Sequence, residues 1–263
     1  MEKTVVKVLK LVEALSRAEQ PVGVTALASE LGFTKSNAHR LLNTLVELGY
    51  VKRHDNEGQY ELTLKLWRIG VAVMSRLDLA RVALPHMRAL EEATEESVNL
   101  SVFDEGQVVY VAAVQGRNPV RAFIRVGDRR PSYCTATGKV LLAYQPEKLL
   151  PKYCSNMKRY TPNTIATLAR IKSELALVRK RGYSMSAGEW SENVGGVAAP
   201  IRSAGGEVVG AVGLMSPLER LKTESTRSQA AKAILDCAAR ISGELGYIER
   251  SGRKAVSGQA ATS

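Results

Sequence analysis

Residues 21–53, PVGVTALASELGFTKSNAHRLLNTLVELGYVKR, carry two apolar rhythms separated by a glycine. Val24, Leu27, Ala28 and Leu31 recur at the spacing of one helical face. Gly32 stops that helix, and Thr34 offers a hydroxyl that can cap the amides of a second one. In the second helix Ala38, Leu41, Leu42 and Leu45 follow the i, i+3, i+4, i+7 rule and must face inward. The opposite face then carries Ser36, Arg40 and Asn43, with Lys35, Asn37 and His39 beside them. A DNA major groove can use these side chains. Arg suits guanine, Asn suits adenine, and short hydroxyls and amides reach phosphates near a helix N-terminus. Periodicity alone fits any amphipathic helix pair equally well.

The residues that follow favour the DNA reading. Tyr50 to Arg53 reads as a strand, Asp55-Asn56-Glu57-Gly58 as a turn, and Tyr60 to Leu64 as the return strand. A β-hairpin directly after such a helix is a wing, and its Lys52 and Arg53 would touch the phosphate backbone. Upstream, residues 4–16 put Val5, Val8, Leu9, Val12 and Leu15 on one face of a helix that should pack beneath the pair.

A chain of 263 residues, 45% hydrophobic and 24% charged, can build two domains with real cores. No apolar run reaches membrane-spanning length and MEKTVVKVLK lacks a signal-peptide core, so a cytoplasmic protein is expected. Cys134, Cys154 and Cys237 are odd in number and far apart, and His39, His54 and His86 do not cluster. Reduced thiols and no metal or other cofactor are expected. Residues 1–80 hold 11 Lys and Arg against 9 Asp and Glu, so +2 of the net charge of +11 lies there and +9 downstream. Overall basicity therefore does not locate a DNA contact, and the case rests on the helix and hairpin.

Beyond the hairpin, residues 65–81 read as a helix with Leu66, Ile69, Val73 and Leu77 on one stripe and Trp67, Val71 and Met74 on another. Such a linker either meets a partner chain or is buried on both faces within the monomer. Residues 82–96 are helical with an interruption at Pro85, and residues 98–103 and 107–114 alternate as strands around a turn at 104–106. Residues 120–126 read as a further strand. Its Arg121, Phe123 and Arg125 share a face that either clamps a carboxylate over a ring or is simply solvated. A loop at 127–134, helices at 136–144 and 164–181, strands at 183–187, 195–202 and 208–215 and a last helix over 223–247 complete an α+β pattern. The Gly/Ser/Ala-rich tail after Ser251 is expected to be disordered.

Over nearly its whole length the sequence resembles the IclR family of bacterial transcriptional regulators. Residues 23–31, the second helix and the hairpin ending in Tyr60-Glu61-Leu62 carry the N-terminal resemblance. SVNLSVFDEGQVVYV, VGDRRPSYCTATGKVLLAY, RGYSMSAGEW and GVAAPIRSAGGEVVGAVGLMSP carry it, in that order, through the rest. The resemblance implies a winged helix-turn-helix domain over 1–64, a linker helix over 65–81, a GAF-like effector-binding domain over 82–250 and a tail over 251–263. It also implies homodimers, often paired into homotetramers, on operator DNA, and two recognition helices of a dimer entering successive major grooves would call for a pseudo-palindromic site. The effector pocket it implies is bounded by the ATGK loop, here Ala136, Thr137 and Gly138, where a helix N-terminus is a ready carboxylate cradle. Positions that are acidic, cysteine and twice serine in members binding small 2-oxo acids become Ser186 or its neighbour Ala187, Gly196, Gly213 and Met215 here. The lost polarity and volume predict an aromatic or similarly bulky organic acid.

An enzyme would need a nucleophile, a base and an orienting group, or a metal. Cys134 and Ser132 near the implied pocket sit in no nucleophile elbow, and His86 is distant in sequence. TGKV is not a phosphate loop, because Tyr133 takes the place of its first glycine and Val140 follows the lysine. A regulator without catalysis is expected, and the alternative is a DNA-binding protein whose second domain only oligomerises.

Overall fold

The computed structural model describes residues 2–54, 58–74 and 78–248. The expected turn at 55–57, Leu77, the side chains of Val71, Val73 and Met74, and the tail at 251–263 lie outside the described part. The chain divides into two compact units, residues 1–77 and 78–263.

The first unit opens with α1 (Lys3–Arg17), a two-residue strand β1 (Val22–Gly23), α2 (Val24–Leu31) and α3 (Lys35–Glu47). Leu11, Leu15, Leu27, Leu41, Leu42 and Leu45 from the three helices form its core. Gly32 ends α2 in the left-handed conformation, φ 67°, and the Asn37 amide donates to Thr34 Oγ1 at 3.3 Å, so both punctuation residues act as the pattern predicts. The hairpin follows as β2 (Val51–His54) and β3 (Gln59–Leu62). β3 also pairs with β1, which is too short to leave a pattern in sequence. The helix expected over 65–81 is α4 (Leu64–Met74), while Asp78 to Arg81 belong to the next helix. Leu64, Trp67 and Ile69 of α4 are 76%, 64% and 46% exposed.

The second unit runs α5 (Asp78–Thr94), β4 (Ser97–Asp104), β5 (Gln107–Val114), β6 (Arg129–Pro131), α6 (Ala136–Ala143), α7 (Leu150–Tyr153), α8 (Leu168–Arg181), β7 (Ser184–Ala187), β8 (Val194–Arg202), β9 (Val208–Pro217) and α9 (Glu224–Glu244). Its strands form one antiparallel sheet ordered β6-β5-β4-β9-β8-β7. The two-residue alternation of β8 explains the layers. Val197, Ala199 and Ile201 join a core with Met87 of α5 and Ile234 and Ile241 of α9. Ala198 joins another with Val140 and Leu141 of α6 and Ile171 and Leu175 of α8. A sheet covered by helices on both faces, preceded by a helical unit, is an α+β protein.

Three expectations about elements are corrected. α5 runs through Pro85 without interruption. A mid-helix proline costs about 3 kcal/mol, and burial of Leu79, Met87 and Leu90 along the same helix, at about 1.5–3 kcal/mol each, offsets it. α8 starts at Leu168 instead of Thr164, because the Thr164 hydroxyl accepts the amides of Tyr160 and Thr161 and donates to the Glu189 carbonyl at 2.7 Å. Residues 120–126 form no strand, with a bend at Val120 and a turn at Val126. Their carbonyls are taken by side chains instead: Val120 by Arg220 Nη2 at 2.7 Å, Ala122 by Ser97 Oγ at 2.6 Å and Ile124 by Gln115 Nε2 at 2.6 Å.

Candidate functional sites on a helix face and in a cleft

On α3, Lys35, Ser36 and Arg40 are exposed, whereas Asn37, His39 and Asn43 are half-buried. Asn43 Nδ2 lies 3.5 Å from His39 Nδ1, one helical turn away. Asn37 Oδ1 is buried and finds no partner among the described residues. On the hairpin, Lys52 sits opposite Glu61 in register and forms a close ion pair with it, while His54 meets the same carboxylate at 3.2 Å. Lys52 thus shares its charge with an acid, which weakens it as a phosphate contact. Arg53 is exposed, opposite Tyr60 in register.

In the second unit, a narrow cleft of about 40 Å³ opens between the start of α6 and strands β7, β8 and β9. Ala136, Thr137, Ser186, Gly196, Gly213 and Met215 all line it, and so do Asn99, Tyr110 and Trp190, which sequence reasoning missed. Gly138 does not. A side chain there would lie 2.3 Å from the Ser132 carbonyl oxygen, so this glycine lets α6 begin against the turn at Ser132–Cys134. Its amide already donates to Thr135 Oγ1 at 3.2 Å. The expected cradle is therefore reduced to the amides of Ala136 and Thr137, the first two helical positions, which have no intrahelical acceptor.

Gly213 also differs from its sequence reading. A Cβ there would meet Thr137 Cγ2 at 2.6 Å and Asn99 Nδ2 at 3.0 Å. The room vacated by a serine is already filled from α6 and β4, so this glycine does not enlarge the cleft. The floor it closes is polar. Asn99 Nδ2 donates to the Gly213 carbonyl at 3.2 Å, and Ser101 Oγ lies 3.1 Å from Asn99 Oδ1 and 3.2 Å from Thr137 Oγ1.

The walls are largely apolar and aromatic. Trp190 packs on Tyr160 with ring centroids 4.3 Å apart, and the Arg130 guanidinium stands 5.2 Å from the Trp190 ring. Burial pushes the Tyr110 hydroxyl up to about 12, which keeps it neutral and able to donate. Burial, reinforced by Glu189, also pushes the Cys134 thiol up to about 12, so at neutral pH it is protonated and a poor nucleophile.

Behind the cleft lies a buried ion pair that nothing in the local pattern announces. Lys139 is 1% exposed, and its Nζ stands 2.6 Å from Glu189 Oε1 and 3.8 Å from Glu174 Oε1. Arg181 Nη2 holds Glu174 at 2.8 Å. Desolvation raises the Glu189 carboxyl above its ordinary range, with the Lys139 charge opposing, and its Oε2 has no partner among the described residues. The pair ties α6, whose first turn lines the cleft, to the loop that carries Trp190.

A winged helix-turn-helix joined to a second unit with a largely apolar cleft at a helix start points to a class: DNA-binding transcriptional regulators with a ligand-binding C-terminal domain. Residues 4–55 match the IclR helix-turn-helix domain and residues 71–243 match the bacterial transcriptional regulator IclR C-terminal domain, so the chain belongs to the IclR family. It is 34% identical over 247 residues to the HTH-type transcriptional regulator KdgR of Escherichia coli K12, spanning 93% of either chain. It is 32% identical over 237 residues to the glycerol operon regulatory protein of Streptomyces coelicolor, spanning 90% of this chain and 93% of that one. The crystal structure of a regulator from Rhodococcus sp. RHA1 superposes with a TM-score of 0.79 at 30% identity, over 93% of this chain and 98% of that chain. Among the described residues no helix is long and apolar enough to cross a membrane.

Proposed function

We propose that the protein is a cytoplasmic, non-enzymatic regulator that binds a pseudo-palindromic operator as a homodimer or homotetramer and senses a ring-bearing organic acid in the cleft of its second unit. The observation that carries the ligand reading is the meeting, in one cleft, of a helix start with two amides lacking helical acceptors and a wall of Trp190 and Tyr110. The helix start suits a carboxylate and the wall suits a ring. The IclR homologue of Microbacterium hydrocarbonoxydans, crystallised with 4-hydroxybenzoate, has this fold at a TM-score of 0.81 and 24% identity, so the fold is compatible with a phenolic acid in that protein. A thermal-shift series on the full chain tests the reading. An aromatic acid at about 100 times its dissociation constant should stabilise the second unit by about 2.7 kcal/mol. Selective stabilisation by small 2-oxo acids would refute the ring, and no shift with any acid would favour a domain that only oligomerises.

For DNA, α3 is the reading helix. Lys35, Ser36, Asn37 and His39 lie toward its start, Arg40 and Asn43 lie farther along it, and Arg53 with Lys52 sits on the hairpin. Effector binding then changes operator affinity by no more than its differential affinity for the two arrangements of the assembly. Arg40→Ala is expected to cost about 1–3 kcal/mol of operator binding while leaving random DNA unaffected, because a bidentate guanine contact is sequence-specific. Equal losses on both duplexes in a gel-shift titration would reassign Arg40 to a phosphate.

A further inference from the structure

The hairpin of the first unit carries little spare positive charge for an element that meets DNA. Residues 51–62 hold Lys52 and Arg53 against Asp55, Glu57 and Glu61. A segment that grips phosphates through charge should carry an excess of Lys and Arg, since each phosphate it neutralises releases counterions and adds to affinity. The placement of Glu61 sharpens the point. Val51 and Tyr60 are 2% and 1% exposed on the hairpin face turned to the core, so two-residue alternation gathers Lys52, His54 and Glu61 on the opposite face. Lys52 and Glu61 stand directly across the strands from each other and form a close ion pair, and His54 Nε2 lies 3.2 Å from the same carboxylate oxygen.

We infer that Glu61 limits the grip of the hairpin on DNA: by holding Lys52 it keeps that ammonium off the phosphate backbone, so that removing the carboxylate strengthens DNA binding. The inference rests on the reading that the hairpin lies beside the duplex. A phosphate that takes Lys52 must displace a carboxylate already bound to it and then sit close to that second negative charge. Lys52 is a point charge on a flexible stem and can turn from one anion to the other, so the ion pair sets a cost on the contact without blocking it. Phosphates carry no base sequence, so the limit falls on every duplex alike, unlike the contribution of Arg40. A role in stability accounts for the pair less well. The Lys52 side chain is 57% exposed, and exposed ion pairs contribute little to folding.

Fluorescence anisotropy of the full chain with a labelled duplex of arbitrary sequence, repeated across a salt series, tests this. Glu61→Gln should bind about two- to fivefold more tightly than the parent at about 50 mM salt, the gain from freeing one lysine of an exposed pair. The slope of log affinity against log salt should steepen by about 0.9, the value of one added phosphate contact, so the gain fades by about 200 mM salt. Thermal unfolding should match the parent's. In a Lys52→Gln background the same change should yield only a small part of the gain. Unchanged or weaker binding, an unaltered salt slope, or a full gain without Lys52 would each overturn the inference. Arg53→Gln, on the other face of the hairpin, separates this from the reading beneath it. If Arg53→Gln weakens binding and Glu61→Gln does nothing, the hairpin touches DNA and only the role of Glu61 is lost. If neither change alters binding, the hairpin lies off the DNA and both fall.

Discussion

Replacing Lys139 with Met is expected to destabilise the second unit by about 3–5 kcal/mol, the usual cost of stripping one partner from a buried ion pair. The ammonium is 1% exposed and 2.6 Å from Glu189 Oε1, and Glu189 already has one oxygen without a partner. Without Lys139 the carboxylate would be desolvated with no charge against it. The pH dependence identifies the cause. The folded Glu189 carboxyl is raised above its ordinary value of 4.5, so its contribution to stability is fully present below that value and is lost as pH rises through the raised one. Removing Lys139 takes away the influence that opposes the rise. The deficit of Lys139→Met should therefore be largest at neutral pH and shrink on acidification toward the ordinary carboxylate range, as followed by urea denaturation at several pH values. Lys139→Met combined with Glu189→Leu should recover most of the loss, because apolar replacement of both partners is often close to neutral. A deficit independent of pH would mean that the loss comes from packing along the lysine stem.

The ion pair also marks where sequence reasoning stops. α3 was legible because it is buried on one side only, so its apolar residues keep a helical period, and Gly32 and Thr34 punctuate the turn that precedes it. α6 is buried all round, from Ala136 to Ala143, and a helix without a wet face has no period to read. Its lysine looked like part of a loop motif, while its partner Glu189 lies 50 residues away. Six of the seven positions reached through the family resemblance line one cleft and Gly138 does not, and the volume at Gly213 depends on Thr137 and Asn99 from two other elements and could not be inferred from the glycine itself. At 120–126 the alternation correctly separated buried Ala122 and Ile124 from exposed Arg121, Phe123 and Arg125. It did not establish a strand, because a period of two reports where side chains face and says nothing of what the carbonyls bond.

Leu42→Ala is expected to separate the two units. Leu42 is 0% exposed, at the centre of a core with Leu11, Leu15, Leu27, Leu41, Leu45, Val51 and Tyr60. Truncating a buried leucine costs about 2–5 kcal/mol, through lost transfer energy and the cavity left behind. A unit of 77 residues holds about 4–12 kcal/mol of stability at typical values per residue, so this one substitution removes a large share of it. α3 has no other way to be held, since its four buried residues, Ala38, Leu41, Leu42 and Leu45, form a single stripe. Operator binding should fall steeply as temperature rises, while ligand-induced stabilisation of the second unit persists, because its cores share no residue with this one. Calorimetry should show the lower transition moving down by many degrees and the other staying in place. Equal movement of both transitions would mean that the chain unfolds as one cooperative body, and the loss of operator binding would then say nothing particular about α3.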